Sequence, residues 1–256
     1  MGKHPRDAFI TVYGRKPVLE ALQMPGVRIA KVLVSDRARG AIIGDIEKAA
    51  RRTGVELRHV PSREVTRLSR NAKQDQGVVA DVEAPRMDAL ASFLDRDENP
   101  GGPLLVLDGI TTPGNVGMII RSAVAAGAGG VVVPRVGCPE IGPQVVKGSA
   151  GVAFRARLLR TPDPATALDA LGAAGYRRLG LAGEAEHDLY AADLSGRLAI
   201  VLGNETHGIG DATRARLDGT LRIPMSGGVE SLNVAVAAAL VGYEVRRRAR
   251  EAQGAR

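Results

Sequence analysis

Three short segments of the chain gather the residues that can do chemistry. The first, Asp108-Gly-Ile-Thr-Thr-Pro-Gly-Asn-Val-Gly-Met-Ile-Ile-Arg121, joins an apolar strand to an Ala-rich helix. There Asn115 can cap the helix, Gly117 permits close backbone approach, and Arg121, two turns on, is set to return to the loop or to reach a phosphate. An arginine among Ile119, Ile120 and Ala123 needs a partner if it is buried. The second, Gly203-Asn-Glu-Thr-His-Gly-Ile-Gly210, follows an apolar run, and its Glu205 can accept hydrogen bonds from a substrate or an arginine. The third, Ile223-Pro-Met-Ser-Gly-Gly-Val-Glu-Ser-Leu-Asn233, leads into the last helix. Ser231 fits a helix cap, Asn233 offers both donor and acceptor, and Met225 and Leu232 can flank an apolar ligand part. Neither a dinucleotide fingerprint nor a P-loop is present, which counts against a nucleotide-dependent oxidoreductase. Read singly, each segment is also explained by a capped turn, and His207 by a solvent-facing loop.

The elements that must hold these loops are α/β in rhythm. Strands are expected at Ile29–Val34, Val55–Val60 and Gly77–Val82, with helices from Gly40 to Arg52, stopped by Gly54, and around Val65 and Leu68. Residues 95–102 are charged, Pro/Gly-containing and nearly free of apolar side chains, as in a domain linker, and a short helix around Met87–Leu94 can dock on either side of it. Beyond it, Leu104–Leu107, Gly130–Val133, Arg177–Leu181 and Leu198–Leu202 read as strands of a mostly parallel sheet. Helices are expected over Asn115–Gly127, Ala165–Ala173 and Asp211–Leu217, the last from an acidic cap, and from Leu232 to about Ala249. A short strand is expected at Leu221–Ile223.

Composition narrows the partners. The 256 residues carry 35 Lys+Arg against 28 Asp+Glu, a net charge of +7, which suits an acidic partner. Only 3% are aromatic, which disfavours rows of stacking rings and leaves phosphate and shape contacts. The single cysteine, Cys138, excludes an intramolecular disulfide, and four scattered histidines give no metal-ligand spacing. No apolar run approaches the roughly 20 residues of a membrane span, so a cytoplasmic protein without membrane or metal is expected.

Together the three segments resemble the signature motifs of the SpoU/TrmH family of knotted RNA 2′-O-ribose methyltransferases. The resemblance rests on Asn115, Gly117 and Arg121, on Gly203, Glu205 and Gly208, and on Ile223-Pro-Met225 with Ser231-Leu-Asn233, in matching order and spacing. Residues 12–21, Val-Tyr-Gly-Arg-Lys-Pro-Val-Leu-Glu-Ala, are similar to the opening of the family's ribosomal-protein-like substrate-binding domain. The resemblance implies an α/β protein with a small RNA-binding domain over 1–83, a linker over 84–102, and a trefoil-knot methyltransferase domain over 103–256. It also implies a homodimer that uses S-adenosylmethionine.

The implied catalytic set is Arg121, Glu205, Ser231, Asn233 and Asn115. Leu202, Gly203, Asn204, Gly208, Ile223, Met225, Ser231 and Leu232 are implied for the cofactor. Arg15, Lys16, Lys73, Arg121, Lys147 and Ser149 are expected to meet RNA. The implied substrate is large-subunit (23S) ribosomal RNA. Transfer RNA is the enzymatic alternative and a non-catalytic RNA-binding scaffold the non-enzymatic one. Thr111-Thr-Pro-Gly-Asn115 is similar to members that protect antibiotic producers, which adds a resistance role to the expectations. It also departs from the many relatives that carry Asp or Arg near this proline.

Overall fold

The computed structural model describes residues 9–96, 101–185 and 187–254. The chain divides into two units, Met1–Pro85 with Ile141–Arg155, and Arg86–Glu140 with Ala156–Arg256.

In the first unit, β1 (Phe9–Tyr13), α1 (Arg15–Gln23), β2 (Ile29–Ser35), α2 (Ala41–Thr53), β3 (Leu57–Val60), α3 (Ser62–Ser69) and β4 (Val78–Glu83) build a sheet of order β1-β4-β2-β3. The two-residue period sends Leu33, Val79, Tyr13 and Val60 to one face, where Val65 of α3 covers them. Their buried neighbours Val12, Val32 and Val34 lie on the other face. α2 buries Ile43, Ile46 and Ala50 and stops at Gly54, which takes the left-handed conformation of a helix end. β1 and α1 are additions to the sequence reading. Pro17 stands in the first turn of α1, where its missing N–H costs no helical bond. Residues 141–155, expected within the second domain, belong to this unit, and their helix, over Pro143–Gly148, packs against β1.

The second unit contains β5 (Met87–Ala89), α4 (Leu90–Leu94), β6 (Leu104–Leu107), α5 (Pro113–Ala126), β7 (Gly130–Pro134), β8 (Leu158–Thr161), α7 (Pro164–Ala173) and β9 (Arg177–Leu181). It continues with β10 (His187–Asp188), β11 (Leu198–Leu202), α8 (Asp211–Arg214), β12 (Gly219–Arg222) and α9 (Val234–Gly254); the helix over Pro143–Gly148 is α6. Eight parallel strands run β10-β12-β9-β11-β6-β7-β8-β5. The continuous apolar runs of β6, β7 and β11 follow from burial on both faces. Leu104, Val106, Val132 and Val201 share one core with Leu168 and Leu171 of α7. α5 and α9 pack against each other.

Strand order turns at β6 and β11. β7 and β8 lie beyond β6, while β9 and β12 lie beyond β11, so the loops leaving the carboxyl ends of these two strands diverge around a crevice. Several expectations are corrected here. The short helix expected around Met87–Leu94 is present as α4 over Leu90–Leu94, but Met87–Ala89 ahead of it form β5, paired with β8, rather than linker or helix, while 97–100 lie outside the described residues. α8 is a single turn rather than a helix to Leu217, and its cap position is Gly210. No helix among the described residues is long and apolar enough to cross a membrane.

Candidate active site

The crevice at β6 and β11 is closed by polar ties between the first two chemical segments. The Asp108 backbone N–H donates to Leu202 O at 2.9 Å, and Asp108 Oδ2 accepts the Gly210 N–H at 2.8 Å. Asn204 Nδ2 donates to Gly109 O at 2.8 Å, while Asn204 Oδ1 accepts the N–H groups of Thr206 and His207 at 2.8 and 3.0 Å. Asn204 and Gly208 exchange backbone bonds, which folds 203–208 into a tight loop. A Cβ on Gly203 would lie 2.5 Å from the carbonyl carbon of Gly208, so only glycine fits, and Gly208 itself has φ +67°.

The third segment joins through one chain of amides. Asn115 Nδ2 donates to Glu205 Oε1, Asn233 Nδ2 donates to Asn115 Oδ1 at 3.1 Å, and Asn233 Oδ1 accepts the Ala235 N–H at 2.9 Å. The polarity of this chain follows from its first member. An ionised carboxylate only accepts, so Asn115 must turn its NH₂ to Glu205 and its oxygen to Asn233. Asn233 must then present its NH₂, which leaves its oxygen to cap α9. This corrects the two expected caps. Asn233 rather than Ser231 caps α9, and Asn115 sits inside the first turn of α5, whose cap position is Thr112.

Beside this chain lies a cavity of about 360 Å³. Leu202, Gly203, Asn204, Gly208, Ile223 and Met225 line it, as do Ser231 and Leu232, so every residue expected to hold the cofactor is on its wall. Its volume falls in the range of small-molecule sites, and its lining mixes apolar side chains with exposed loop backbone, which fits a nucleoside joined to a polar amino-acid tail.

A family model described as SpoU rRNA Methylase family matches residues 102–243, and one described as RNA 2′-O ribose methyltransferase substrate binding matches residues 11–87. The chain belongs to the SpoU rRNA methylase family. It is therefore an S-adenosylmethionine-dependent RNA 2′-O-ribose methyltransferase. Among its relatives, the 23S rRNA (guanosine-2′-O-)-methyltransferase RlmB of Xylella fastidiosa is 37% identical over 91% of this chain and 94% of its own. The enzyme of the same name from Coxiella burnetii is 36% identical over 93% and 95%. The SpoU methyltransferase AviRb from Streptomyces viridochromogenes, solved in complex with the cofactor AdoMet, superposes with a TM-score of 0.80 at 28% identity, covering 95% of this chain and 91% of that one.

Of the residues that the SpoU motifs single out, Asn115, Glu205 and Asn233 meet within one chain, and Arg121 does not join them. It lies six residues beyond Asn115, about 9 Å along the helix axis, on the exposed face of α5, with no hydrogen-bond or ion-pair partner among the described residues. Met118, 41% exposed, shares that face. In the substrate-binding unit, two of the expected RNA residues bond to residues 70–77 and a third lies within that segment. Arg15 donates to Gln76 O and Arg39 O, Lys147 Nζ donates to Gln74 Oε1 at 2.8 Å and lies over the Tyr13 ring, and Lys73 is exposed within the segment. Lys16 is exposed beside Arg15. Ser149 is a correction. It is fully buried, its hydroxyl donating to Val146 O and accepting the Ala153 N–H, so it has no surface to offer RNA.

Sequence reasoning missed the wall supplied by the loop after β9, Ala182-Gly-Glu184, and by Arg214 of α8. For the loop, its position at the carboxyl end of the parallel strand β9 was the available signal. Among the described residues, no group of three or more His, Cys, Asp or Glu is placed to hold a metal ion.

Proposed function

We propose that this enzyme methylates a ribose 2′-hydroxyl of 23S ribosomal RNA, its second unit holding S-adenosylmethionine and its first unit the RNA. The observation that carries the reading is the pairing of a substrate-binding match over 11–87 with a methylase match over 102–243, in a chain that aligns over 91% of its length with a relative named for 23S RNA. When bound, the cofactor supplies an electrophilic methyl group on a sulfonium. The chain's own task is positioning and electrostatics. Backbone of the 203–208 and 223–232 loops forms the cofactor cradle. Asn115 and Asn233, fixed in polarity by Glu205, orient the ribose, and Ser231 lies at the same rim. The Arg121 guanidinium serves as a cation beside the developing 2′ oxyanion rather than as a base.

The homodimer completes the site in this reading. Arg121 and Met118 share one exposed face of α5, and Val236, Leu240 and Tyr243 form an exposed stripe on α9, which packs beside it. Covering this apolar stripe with a second copy places Arg121 in an interface, where Arg121 of the partner subunit can reach the Asn115–Glu205 pair that the chain's own Arg121 does not touch. The second unit is also assigned the trefoil knot that the motifs imply. The return of α9 onto α5 by way of the loops after β11 and β12 supports that assignment.

Tritiated-methyl transfer to unmodified 23S and transfer RNAs, mapped at nucleotide resolution, tests the reading. A single ribose-methylated 23S nucleotide is expected. Methylation of transfer RNA alone overturns the substrate, and cofactor binding without transfer to either RNA supports the scaffold instead.

A further inference from the structure

The cavity wall on the β9 side carries a polar pair that the amide chain and the sequence motifs leave unused. Glu184, in the loop after β9, and Arg214, in α8, both line the cavity, and Arg214 Nη2 donates to Glu184 Oε1 at 3.1 Å. Glu184 also accepts its own backbone N–H. A carboxylate offers about four lone-pair positions, so two remain for a ligand.

Position decides which part of the ligand meets this group. The methyl group must lie at the Asn115 end of the crevice, which belongs to β6. β9 is separated from β6 by β11, two strand spacings or roughly 10 Å away. The adjacent strand β12 leads into Ile223 and Met225, apolar side chains on the same cavity. The nucleoside end of the ligand therefore falls on this side, its base against apolar surface and its sugar near Glu184. Charge points the same way. A carboxylate already neutralised by a guanidinium is a directional acceptor with little net charge, which suits a neutral diol better than an ammonium group.

We propose that Glu184, held in place by Arg214, is the residue that reads the ribose diol of S-adenosylmethionine. The proposal rests on the assignment of this cavity to that cofactor.

Calorimetric titration with S-adenosylhomocysteine and its 2′,3′-dideoxy analogue tests it without turnover. Wild-type protein is expected to prefer the parent by about 10- to 100-fold, the range of one or two hydrogen bonds to a charged group. In Glu184→Ala that ratio should collapse toward one while the dideoxy affinity holds, with Glu184→Gln between the two. Arg214→Ala should lower the ratio partly, by freeing the carboxylate to move. Glu184 is largely exposed, so unchanged melting temperatures are expected for its variants. An unaltered ratio in Glu184→Ala overturns the proposal. So does a result in which the substitution weakens every ligand except one lacking the amino group, since the carboxylate then reads the ammonium. Failure of wild-type protein to bind either ligand removes the cofactor assignment itself, and this inference with it.

Discussion

Asn233 Nδ2 donates to Asn115 Oδ1 across 3.1 Å, joining side chains 118 residues apart. The bond makes the start of the last helix and the start of α5 parts of one site. Because Asn233 also caps α9 with its oxygen, the two roles can be separated by substitution. Asn233→Asp keeps the acceptor for the Ala235 N–H but loses the donor to Asn115. Its melting temperature should stay close to wild type, while single-turnover methyl transfer falls by about 10²-fold, as expected when one positioning donor is lost. Asn233→Ala should lose the rate and also about 1 kcal/mol of stability. Equal rates in wild type and Asn233→Asp would remove the amide chain from the mechanism.

Arg121 offers a test of shared sites. Neither Arg121→Ala nor Asn115→Ala homodimers should transfer methyl groups at an appreciable rate. If each site draws Arg121 from the partner subunit, mixing the two variants gives heterodimers with one intact site, and about a quarter of wild-type specific activity returns after subunit exchange. Were the site built within one chain, every heterodimer site would carry one lesion and no activity would return.

Glu244 should contribute to acid stability. Its side chain is only 6% exposed and is held by the guanidinium groups of Arg247 and Arg248, with closest distances of 2.9 and 2.6 Å. Hydrogen bonding from Arg247 above all lowers its pKa from 4.5 to about 2. A folded pKa below the unfolded one gives stability that is fully present above about 4.5 and is lost as pH falls toward 2. Glu244→Gln should cost about 1–2 kcal/mol at neutral pH, discounted because Arg247 is half exposed, and should flatten the acid limb of the melting curve. Thermal melts from pH 2 to 7 measure both effects.

Cys138 should be chemically quiet. Burial, above all, pushes its thiol up to about 11, so little thiolate exists at neutral pH. Alkylation by iodoacetamide at pH 7 should be much slower than for a free thiol, and Cys138→Ser should retain methyl transfer. Rapid alkylation of the folded protein contradicts the assignment.

The three chemical segments were legible because their work is local. Gly203 is fixed by a backbone approach two strands of one short loop make, and Ile223, Met225 and Leu232 announce an apolar wall by type. The β6, β7 and β11 strands were legible for a related reason, since a strand buried on both faces leaves an unbroken apolar run. What the sequence hid depends on partners far along the chain. Met87–Ala89 fall within the expected short helix because a three-residue edge strand has no periodicity to show, and only β8 makes it a strand. Residues 141–155 carry nothing that names the unit they join. Ser231 and Asn233 are equally good caps by type, and the choice between them was made by Asn115, 118 residues upstream of Asn233.

The amide chain from Glu205 through Asn115 to Asn233 has a bearing on the working lifetime of the enzyme. Spontaneous hydrolysis of an asparagine amide begins with attack by the next residue's backbone nitrogen, and a β-branched neighbour hinders that attack. Asn115 is followed by Val116 and Asn233 by Val234. Had Asn115 aged to aspartate, a second negative charge would face Glu205 and the orientation of all three groups would be undone; the two valines slow that decay at the places where it would do most harm.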